Sequence, residues 1–336
     1  MPLKLGILGI DHGHIFGMLT HLLELGSTCD FYWTDGEAVT EPKFNSTFPT
    51  VSRTDDKRRI LEDPEVDLIL ISAVPADRAG LAIEAMIAGK DVMVDKPGCT
   101  TLEHLAELRQ VQRATGRIWS VNFSERFQVA AVTKAEELVF SGAIGRVVQT
   151  VGLGPHKKNL KTRPAWFFER ERYGGILCDI GSHQIDQFLW FTQSQSAEVS
   201  FAHVENTTMT DRGGFQDFGE LVLKSPQGHG YVRVDWFTPD GLPTWGDGRL
   251  FIQGTDGYIE LRKYTDIGRP HELNHLYLVN GEDNRMIDCN DAGLPYFERL
   301  VADVQERTFR AAPQEHTFLT MELAINAQRL AENRHA

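Results

Sequence analysis

The strongest constraint on the fold is the regular alternation of short apolar runs with amphipathic segments over the first 122 residues. Apolar residues recur at helical spacing from Ile15 to Gly26 and again from Arg78 to Gly89. These segments separate apolar runs at residues 3–10, 66–72, 91–97 and 117–123. Strands that alternate with helices of this length build a parallel sheet with covered faces. The pattern therefore predicts an α/β protein with an N-terminal domain at residues 1–122.

The first strand leads into a glycine-bearing turn, residues 9–14, and then into a helix. The next apolar run ends at Asp35. Strand, glycine turn, helix and a second strand with a terminal acid form the opening of a Rossmann-type, doubly wound dinucleotide-binding unit. Asp35 lies about 20 residues beyond the turn, where a carboxylate accepts hydrogen bonds from an adenosine ribose. Asp35 therefore favours NAD over NADP, and the alternative is an ordinary loop carboxylate after a strand.

The turn departs from the GxGxxG pattern of such units. Gly9 fills the first glycine position, but Asp11 and His14 stand at the second and third, and Gly13 is one residue out of register. The second glycine lets the backbone approach the pyrophosphate, whereas an aspartate adds bulk and negative charge. His12 or His14 could offset that charge, or Asp11 could turn away and cap the helix. We expect Asp11 to be turned away from the phosphates. No matching third ligand accompanies the two histidines, so we expect no metal.

Residues 123–336 form a second domain in this interpretation. A helical segment at 131–142 is followed by short, partly alternating runs at 145–153, 197–206, 217–225, 230–237, 249–255, 258–263 and 275–281. Glycine or proline turns separate the runs, which is typical of a largely antiparallel sheet with helices on one face. Amphipathic helices at 296–309 and 318–332 follow. The second domain is therefore expected to be α+β.

Composition and charge narrow the class of protein. The chain has 336 residues, of which 41% are hydrophobic and 24% charged, as in a globular protein of about two domains. The net charge of −13 repels phosphate backbones and anionic membranes, so neither is an expected partner. The four cysteines show no CxxC spacing, which argues against structural zinc or a disulfide framework. No apolar run reaches about 18 residues. We expect a cytoplasmic protein.

The most distinctive stretch of the second half runs from Gly174 to Trp190. Two glycines would allow a close approach of the chain before a helix begins. Asp179 and His183 are four residues apart, so on one helix they would lie on the same face. A carboxylate beside an imidazole can hold the ring for acid–base work. The alternative is an ordinary ion pair at a helix start.

Upstream of that stretch, residues 154–175 concentrate cationic side chains in an otherwise acidic protein. They are His156, Lys157, Lys158, Lys161 and Arg163. Such a loop could receive a carboxylate or a phosphate at the mouth of a substrate site. Alternatively, it is a solvated loop whose charge is balanced by nearby acids. Trp166 could stack on a sugar face, although an aromatic residue before a helix is often part of the core.

Two phrases together resemble the Gfo/Idh/MocA oxidoreductases, the relatives of glucose–fructose oxidoreductase and inositol dehydrogenase. The first is AVPADRAGLAIEAMIAGKDVMVDKP, which ends in Asp95-Lys96-Pro97 where that family has Glu-Lys-Pro. The second is the pair of glycines followed by Asp179 and His183. NFSERF, SGAIGRV and GTDGYIEL also fall where that family places similar phrases. The resemblance covers nearly the whole chain, and its main departure is the first glycine turn.

The resemblance implies a set of site residues. Lys96, Asp179 and His183 would be catalytic, with the imidazole or the ammonium taking the hydroxyl proton as hydride passes to the nicotinamide. Which of Lys96 and His183 is the base stays open. Cofactor contacts are expected from Gly9, Asp11, His12, Gly13, His14, Asp35, Pro75, Asp95, Lys96 and Pro97. Substrate contacts are expected from Lys96, Asn122, Arg126, His156, Trp166, Asp179 and His183.

The expected function is therefore an NAD-dependent dehydrogenase that oxidises a hydroxyl of a sugar, cyclitol or sugar derivative, with NADP the less favoured cofactor. Two alternatives remain. The same cofactor could act transiently, so that a glycosidic or C–O bond is cleaved by elimination without net redox change. The protein could also be a sugar-sensing regulatory protein that has lost turnover. In the family, the open face of the second sheet commonly mediates dimer contacts, so a homodimer or homotetramer is expected.

Overall fold

The computed structural model describes residues 2–269 and 273–333. Up to residue 122, six strands alternate with five helices. The strands are β1 (Lys4–Leu8), β2 (Thr28–Trp33), β3 (Ser52–Arg53), β4 (Leu68–Ile71), β5 (Asp91–Asp95) and β6 (Trp119–Asn122). The helices are α1 (His14–Glu24), α2 (Glu41–Thr47), α3 (Arg58–Leu61), α4 (Arg78–Ile87) and α5 (Leu102–Thr115). The alternation that the sequence predicts is confirmed.

From residue 123 onward, helices and eight further strands follow. The helices are α6 (Ser124–Phe127), α7 (Ala130–Phe140), α8 (Arg170–Tyr173), α9 (Ile176–Asp179), α10 (Gly181–Thr192), α11 (Pro295–Glu306) and α12 (Gln314–Asn333). The strands are β7 (Val147–Pro155), β8 (Glu198–Glu205), β9 (Phe218–Lys224), β10 (His229–Asp235), β11 (Arg249–Gly254), β12 (Gly257–Arg262), β13 (His275–Asn280) and β14 (Asn284–Ile287).

The first sheet has the strand order β3-β2-β1-β4-β5-β6, and every pairing in it is parallel. Its central strands are fully buried and rich in Ile, Leu and Val, as expected where helices cover a parallel sheet. Because all strands run the same way, the residues that follow β1, β2, β4 and β5 share one edge. This edge carries the glycine turn, Asp35, Pro75 and Lys96, so the Rossmann-type architecture is confirmed.

The second sheet has the order β14-β13-β12-β11-β7-β10-β9-β8. Only β7 and β10 pair in parallel; the other pairings among the described strands are antiparallel. Residues alternate between buried and partly exposed along β9, β10 and β11. The buried residues face helices such as α10, which packs on β7 and β10. The predicted α+β domain with a large, mostly antiparallel sheet is confirmed.

The chain packs into two compact units. Unit 1 comprises Met1–Asn122, Thr162–Gly174 and Tyr296–Phe318, and unit 2 comprises Phe123–Lys161, Gly175–Pro295 and Leu319–Ala336. Two later segments thus pack with the parallel sheet, beyond the simple split at residue 122. All four cysteines are buried and free. None of the described helices combines the length and the apolar character that a membrane crossing requires.

Candidate functional site

The turn after β1 is built around Gly9. This residue has φ +82°, and a Cβ placed on it would lie 2.4 Å from the Cβ of Ala73. Its N–H donates to the carbonyl of Trp33 at 2.7 Å, which ties the turn to the end of β2. Only glycine tolerates both the backbone angle and the close approach. Gly13 differs, because it has φ −66° and a Cβ there would meet nothing within 4 Å.

A cleft of about 400 Å³ opens beside this turn in unit 1. Gly9, Asp11 and Asp35 line it, and so do Asp77 and Arg172 from two other elements. Arg172 is held by Asp77 through contacts of 3.0 and 3.1 Å. Asp35 at the end of β2 thus shares a cavity with the glycine turn, as binding of an adenosine ribose next to a diphosphate requires.

Asp11 lines this cleft together with Gly9 and Asp35, which goes against the expectation that it is turned away from the phosphates of a bound dinucleotide, and its carboxyl group is unusual. Burial raises its pKa to about 6, although the positive charge of Arg78 opposes that shift. The helix α1 begins after Gly13, and no side chain caps it. The interpretation in which Asp11 caps this helix is therefore wrong. A carboxyl group with this pKa is ionised in most molecules at pH 7 and protonated in most molecules at pH 5, where it can donate a hydrogen bond to an anion.

His12 and His14 share the carboxylate of Asp95. Nδ1 of His12 lies 2.7 Å from one oxygen and Nδ1 of His14 lies 2.7 Å from the other. Burial lowers the pKa of His12 to about 4, against the attraction of Asp95. An ionised carboxylate can only accept, so each Nδ1 carries the proton. The two imidazoles are thereby fixed edge to face, with their ring centroids 4.5 Å apart.

Arg78 is the buried centre of this network, and no sequence motif pointed to it. Its Nη2 donates to Asp95 at 3.0 Å, and its Nε donates to the carbonyl of Ala73 at 2.8 Å. Nη1 reaches the carbonyls of Asp95, Lys96 and Pro97. Burial would raise the pKa of Asp95, but Arg78 and the two imidazoles hold it well below its usual range. A charged residue on the apolar face of α4 was the available signal.

Asp95 also supplies the third potential metal ligand that the sequence lacked, since suitable atoms of His12, His14 and Asp95 lie within 4.8 Å of one another. Both carboxylate oxygens, however, already accept imidazole N–H groups, and Arg78 donates to one of them. A divalent ion bound through both Nδ1 atoms would have to displace their protons and sit beside a guanidinium. In the described arrangement the cluster fixes the turn through hydrogen bonds.

Lys96 follows the last residue of β5 and is 3% exposed. Pro97 comes next, across a cis peptide bond. Asn122 ends the neighbouring strand β6 and is fully buried. Pro75 begins a single 3-10 turn after β4 and is also buried. Unit 1 thus brings the expected cofactor residues and Lys96 to one edge of its sheet, as parallel strands dictate.

In unit 2, Gly174 and Gly175 have φ values of +91° and +88°. A Cβ on Gly175 would lie 2.2 Å from the side chain of Gln328, so the predicted close approach is confirmed. Two helices follow instead of one, because α9 ends at Asp179 and α10 begins at Gly181. The hydroxyl of Ser182 donates to the carbonyl of Asp179 at 3.0 Å and competes with the regular ladder at the junction. Ile180, the one residue between the two helices, has φ −84° and ψ −41°, so the backbone stays in the right-handed helical region across the junction.

Asp179 and His183 are both buried, at 9% and 1% exposure. The ring of His183 meets the ring of Phe123 edge to face, with centroids 6.4 Å apart. Asp186, one turn further along α10, binds Arg126 at two points, 2.6 and 2.7 Å. The guanidinium of Arg126 also lies 4.3 Å from the ring of Trp190. His183 and Asp186 thus lie on an anchored, buried part of α10.

His156, at the end of β7, packs against two tryptophans. Its ring lies 5.4 Å from Trp236 and 4.5 Å from Trp245, whose side chain is 42% exposed. Trp166 belongs to unit 1, is half-buried, and packs on the buried Phe167 at 6.4 Å. The tryptophans have faces of the size that sugar rings stack on, and of the three only Trp166 was anticipated.

The cationic loop is largely committed to contacts within the protein. Lys157 donates to the carbonyls of Asp240 and Leu242 at 3.2 and 2.5 Å. Lys158 lies 3.6 Å from Asp217. The guanidinium of Arg163 lies over the ring of Phe167 at 4.2 Å. These contacts account for three of the five cationic side chains that were candidates for binding an anionic substrate.

A parallel sheet of this order, with a positive-φ glycine turn and an acid after its second strand, is the architecture of a dinucleotide-binding protein. Comparison with known families agrees. Residues 34–123 match the oxidoreductase family with an NAD-binding Rossmann fold, GFO/IDH/MocA, and residues 132–260 match the GFO/IDH/MocA C-terminal domain. The chain belongs to the GFO/IDH/MocA oxidoreductase family.

Individual relatives extend this result. A crystal structure from Erwinia carotovora atroseptica SCRI1043, described as an oxidoreductase, is 41% identical, with 98% of each chain covered and a TM-score of 0.94. The oxidoreductase YdgJ of Escherichia coli strain K12 is 30% identical over 56% of this chain and 52% of its own. The scyllo-inositol 2-dehydrogenase (NAD⁺) of Bacillus subtilis strain 168 is 26% identical over 61% of this chain and 58% of its own. The matched stretch spans about half the length of the first curated relatives.

Proposed function

We propose that this protein is an NAD-dependent dehydrogenase that oxidises a hydroxyl group of a sugar, cyclitol or sugar derivative. The observation that carries the proposal is the cleft that Gly9 and Asp35 share at the carboxyl edge of the parallel sheet. A ligand with an adenosine ribose and a diphosphate suits this cleft, because Asp35 can accept ribose hydroxyls while the glycine turn admits phosphate. The Bacillus subtilis relative, named for NAD⁺ and a cyclitol, supports the same substrate class.

We assign the cofactor contacts to the turn and to the strand ends of unit 1. Gly9, Asp11 and Asp35 line the cleft directly. Asp95 holds the rings of His12 and His14, which are the chain neighbours of Gly13. The assignment also includes Pro75, Lys96 and Pro97, which follow β4 and β5 at the same edge.

NAD supplies the hydride acceptor when it is bound. In our assignment, Lys96 donates a hydrogen bond to the reacting oxygen and stabilises negative charge on it. His183 accepts the proton of the hydroxyl, and Asp179 orients either the ring or the substrate. Asn122, Arg126, His156 and Trp166 complete the proposed substrate contacts. For Arg126 the contact would be indirect, since its guanidinium already holds Asp186.

The decisive experiment is to incubate the protein with NAD and a panel of polyols, cyclitols, glycosides and uronic acids. Steady release of NADH with a polyol supports the dehydrogenase. Product without NADH release would identify an eliminating or glycoside-cleaving enzyme with no net redox change. Binding without any product, across the panel, would identify a sugar-sensing protein and overturn the proposal.

We further propose that two copies of the chain associate through the open face of the second sheet. One residue from each of six neighbouring strands forms a cross-strand row on that face: Phe201, Val222, Tyr231, Val151, Phe251 and Glu260. Five of the six are apolar or aromatic, and none is fully buried. Such a stripe is typical of a homodimer interface. Val151→Arg should convert a dimer to monomers in sedimentation velocity, and a wild-type monomer would contradict the proposal.

A further inference from the structure

Arg172 lines the cleft of unit 1 and is not among the cofactor contacts assigned above. It lies on the short helix α8, which packs against the turn that Pro75 begins after β4. Nη1 and Nη2 of Arg172 lie 3.1 and 3.0 Å from Oδ1 and Oδ2 of Asp77. The two side chains are 40% and 45% exposed. An ion pair this exposed adds at most about 1 kcal/mol to the free energy of unfolding, so stability alone does not account for it.

The cleft is acidic, and this makes its one guanidinium important to an anionic ligand. Four carboxylates line it, those of Asp11, Asp35, Asp77 and Glu84. Arg172 is the only arginine or lysine among the described residues that line it. The diphosphate of a dinucleotide is itself an anion. Its binding in this cleft therefore requires a hydrogen-bond donor that offsets the repulsion from the carboxylates.

The glycine turn favours a diphosphate less than the usual pattern does. Asp11 stands where the second glycine normally lets the backbone approach the pyrophosphate. The segment that leads to Asp77 touches this turn, since a Cβ on Gly9 would lie 2.4 Å from the Cβ of Ala73. Burial raises the pKa of Asp11, and the negative charge of Asp77 adds to that shift. The segment that holds Arg172 thus borders the turn at the residue that departs from the pattern.

The contact with Asp77 leaves Arg172 able to bind a second anion. A guanidinium carries more N–H donors than one carboxylate accepts from it in a bidentate pair. The pair as a whole is neutral, so it acts on a phosphate through hydrogen bonds at contact distance and not through a long-range field. Because Asp77 contacts both terminal nitrogens, it also fixes the plane of the guanidinium.

We propose that Arg172, oriented by Asp77, binds the diphosphate of the cofactor and replaces the contact that the second glycine of the usual pattern allows. The inference rests on the proposed function, because it requires a dinucleotide in this cleft. The guanidinium donates hydrogen bonds to phosphate oxygens, whose geometry matches its planar arrangement of donors. It thereby offsets the repulsion from Asp11 and the other carboxylates of the cleft.

Calorimetric titration with NAD, ADP and adenosine tests this contact without turnover. Arg172→Gln removes the cation and keeps a polar side chain. We expect it to weaken the binding of NAD and of ADP by at least about tenfold, the usual effect of losing one hydrogen bond to a charged group. Adenosine has no phosphate, so its unchanged affinity would show that the cleft is intact. Arg58→Gln is the matched control, because Arg58 pairs with Asp56 at 3.8 Å outside the cleft and should leave all three affinities unchanged.

Asp77→Asn separates this role from a purely structural one. It breaks the same ion pair but keeps the guanidinium and removes one carboxylate, so NAD affinity should stay within about threefold of the wild type. A pair that only ties α8 to the turn after β4 would give equal losses in Asp77→Asn and Arg172→Gln. Such equal losses, or an unchanged ADP affinity in Arg172→Gln, would overturn the role of Arg172. A wild-type protein that binds neither NAD nor ADP would overturn the proposed function and the inference with it.

Discussion

Arg78 and Asp95 form an ion pair that solvent does not reach: Nη2 lies 3.0 Å from Oδ2, and the side chains are 1% and 0% exposed. The same carboxylate also accepts from His12 and His14. One buried aspartate therefore ties the start of α4 and the end of β5 to the glycine turn after β1. The position of the residues that we assign to the cofactor depends on this single network.

Replacing Arg78 should destabilise the protein strongly. Arg78→Met leaves Asp95 buried beside two imidazoles without its cation, and breaking a buried pair from one side costs about 3 kcal/mol or more. Denaturation in urea measures the change in the free energy of unfolding. Arg113→Met is the control, because that side chain is 64% exposed on α5 and should change stability by less than about 0.5 kcal/mol. Equal effects of the two substitutions would show that the network is dispensable.

The fold could be predicted from the sequence because burial on both faces of a parallel sheet leaves long apolar runs. The runs at 66–72 and 91–97 contain β4 and β5, and their ends differ by only a few residues from the observed ones. The strands β3 and β14 were missed. They have two and four residues and lie at sheet edges, where no long apolar pattern is needed.

The site could be predicted only in part, because its decisive contacts are between residues distant in the chain. Gly9 and Asp35 carry a local pattern, and the structure places them in one cleft. The partnership of His12 with Asp95 spans 83 residues, and that of Arg172 with Asp77 spans 95. No local spacing encodes such pairs. The one-residue break between α9 and α10, where the Ser182 hydroxyl bonds the carbonyl of Asp179, is likewise not visible in the periodicity of the sequence.

Gly9→Ala should disrupt the turn, whereas Gly13→Ala should not. At position 9, the added methyl group would overlap Ala73 on a backbone with φ +82°. We therefore expect the free energy of unfolding to fall by at least about 2 kcal/mol. At position 13 the backbone is helical and the methyl group meets no atom within 4 Å. The free energy of unfolding should therefore change by less than about 1 kcal/mol. Thermal melting compares the two. A stable Gly9→Ala protein would contradict the described turn.

Asp11 should make NAD binding depend on pH. The pKa of this carboxyl group is raised to about 6, so it is mostly neutral at pH 5 and mostly ionised at pH 7.5. The ionised form repels a diphosphate, and affinity should therefore fall at least about threefold between these two values. Calorimetric titration with NAD measures it. Asp11→Asn should bind NAD tightly at both pH values. If the affinity of this variant instead depended on pH as the wild-type affinity does, Asp11 would be excluded as the source of that dependence.

Asp35 should decide between the two dinucleotides. Its carboxylate accepts ribose hydroxyls but repels a 2′-phosphate, so NAD should bind at least about tenfold tighter than NADP, a difference of about 1.4 kcal/mol. Asp35→Ser should narrow that ratio by strengthening NADP binding. Arg53 already donates to the carbonyl of the next residue, Gly36, at 2.8 Å and stays in place in the variant. Fluorescence titration with both cofactors checks this, and equal affinities in the wild type would remove the role given to Asp35.

Lys96 and His183 should carry the chemical step. Lys96→Ala and His183→Ala should each lower kcat by about 10²-fold or more, the usual range for acid–base groups, while NAD affinity changes much less. The pH profile separates the two roles. If His183 is the base, the acid limb of kcat/KM is lost in His183→Ala and kept in Lys96→Ala. The reverse result would make Lys96 the base. Near-normal turnover in His183→Ala would remove this residue from the mechanism. Lys96 would then be the remaining candidate for the group that accepts the proton.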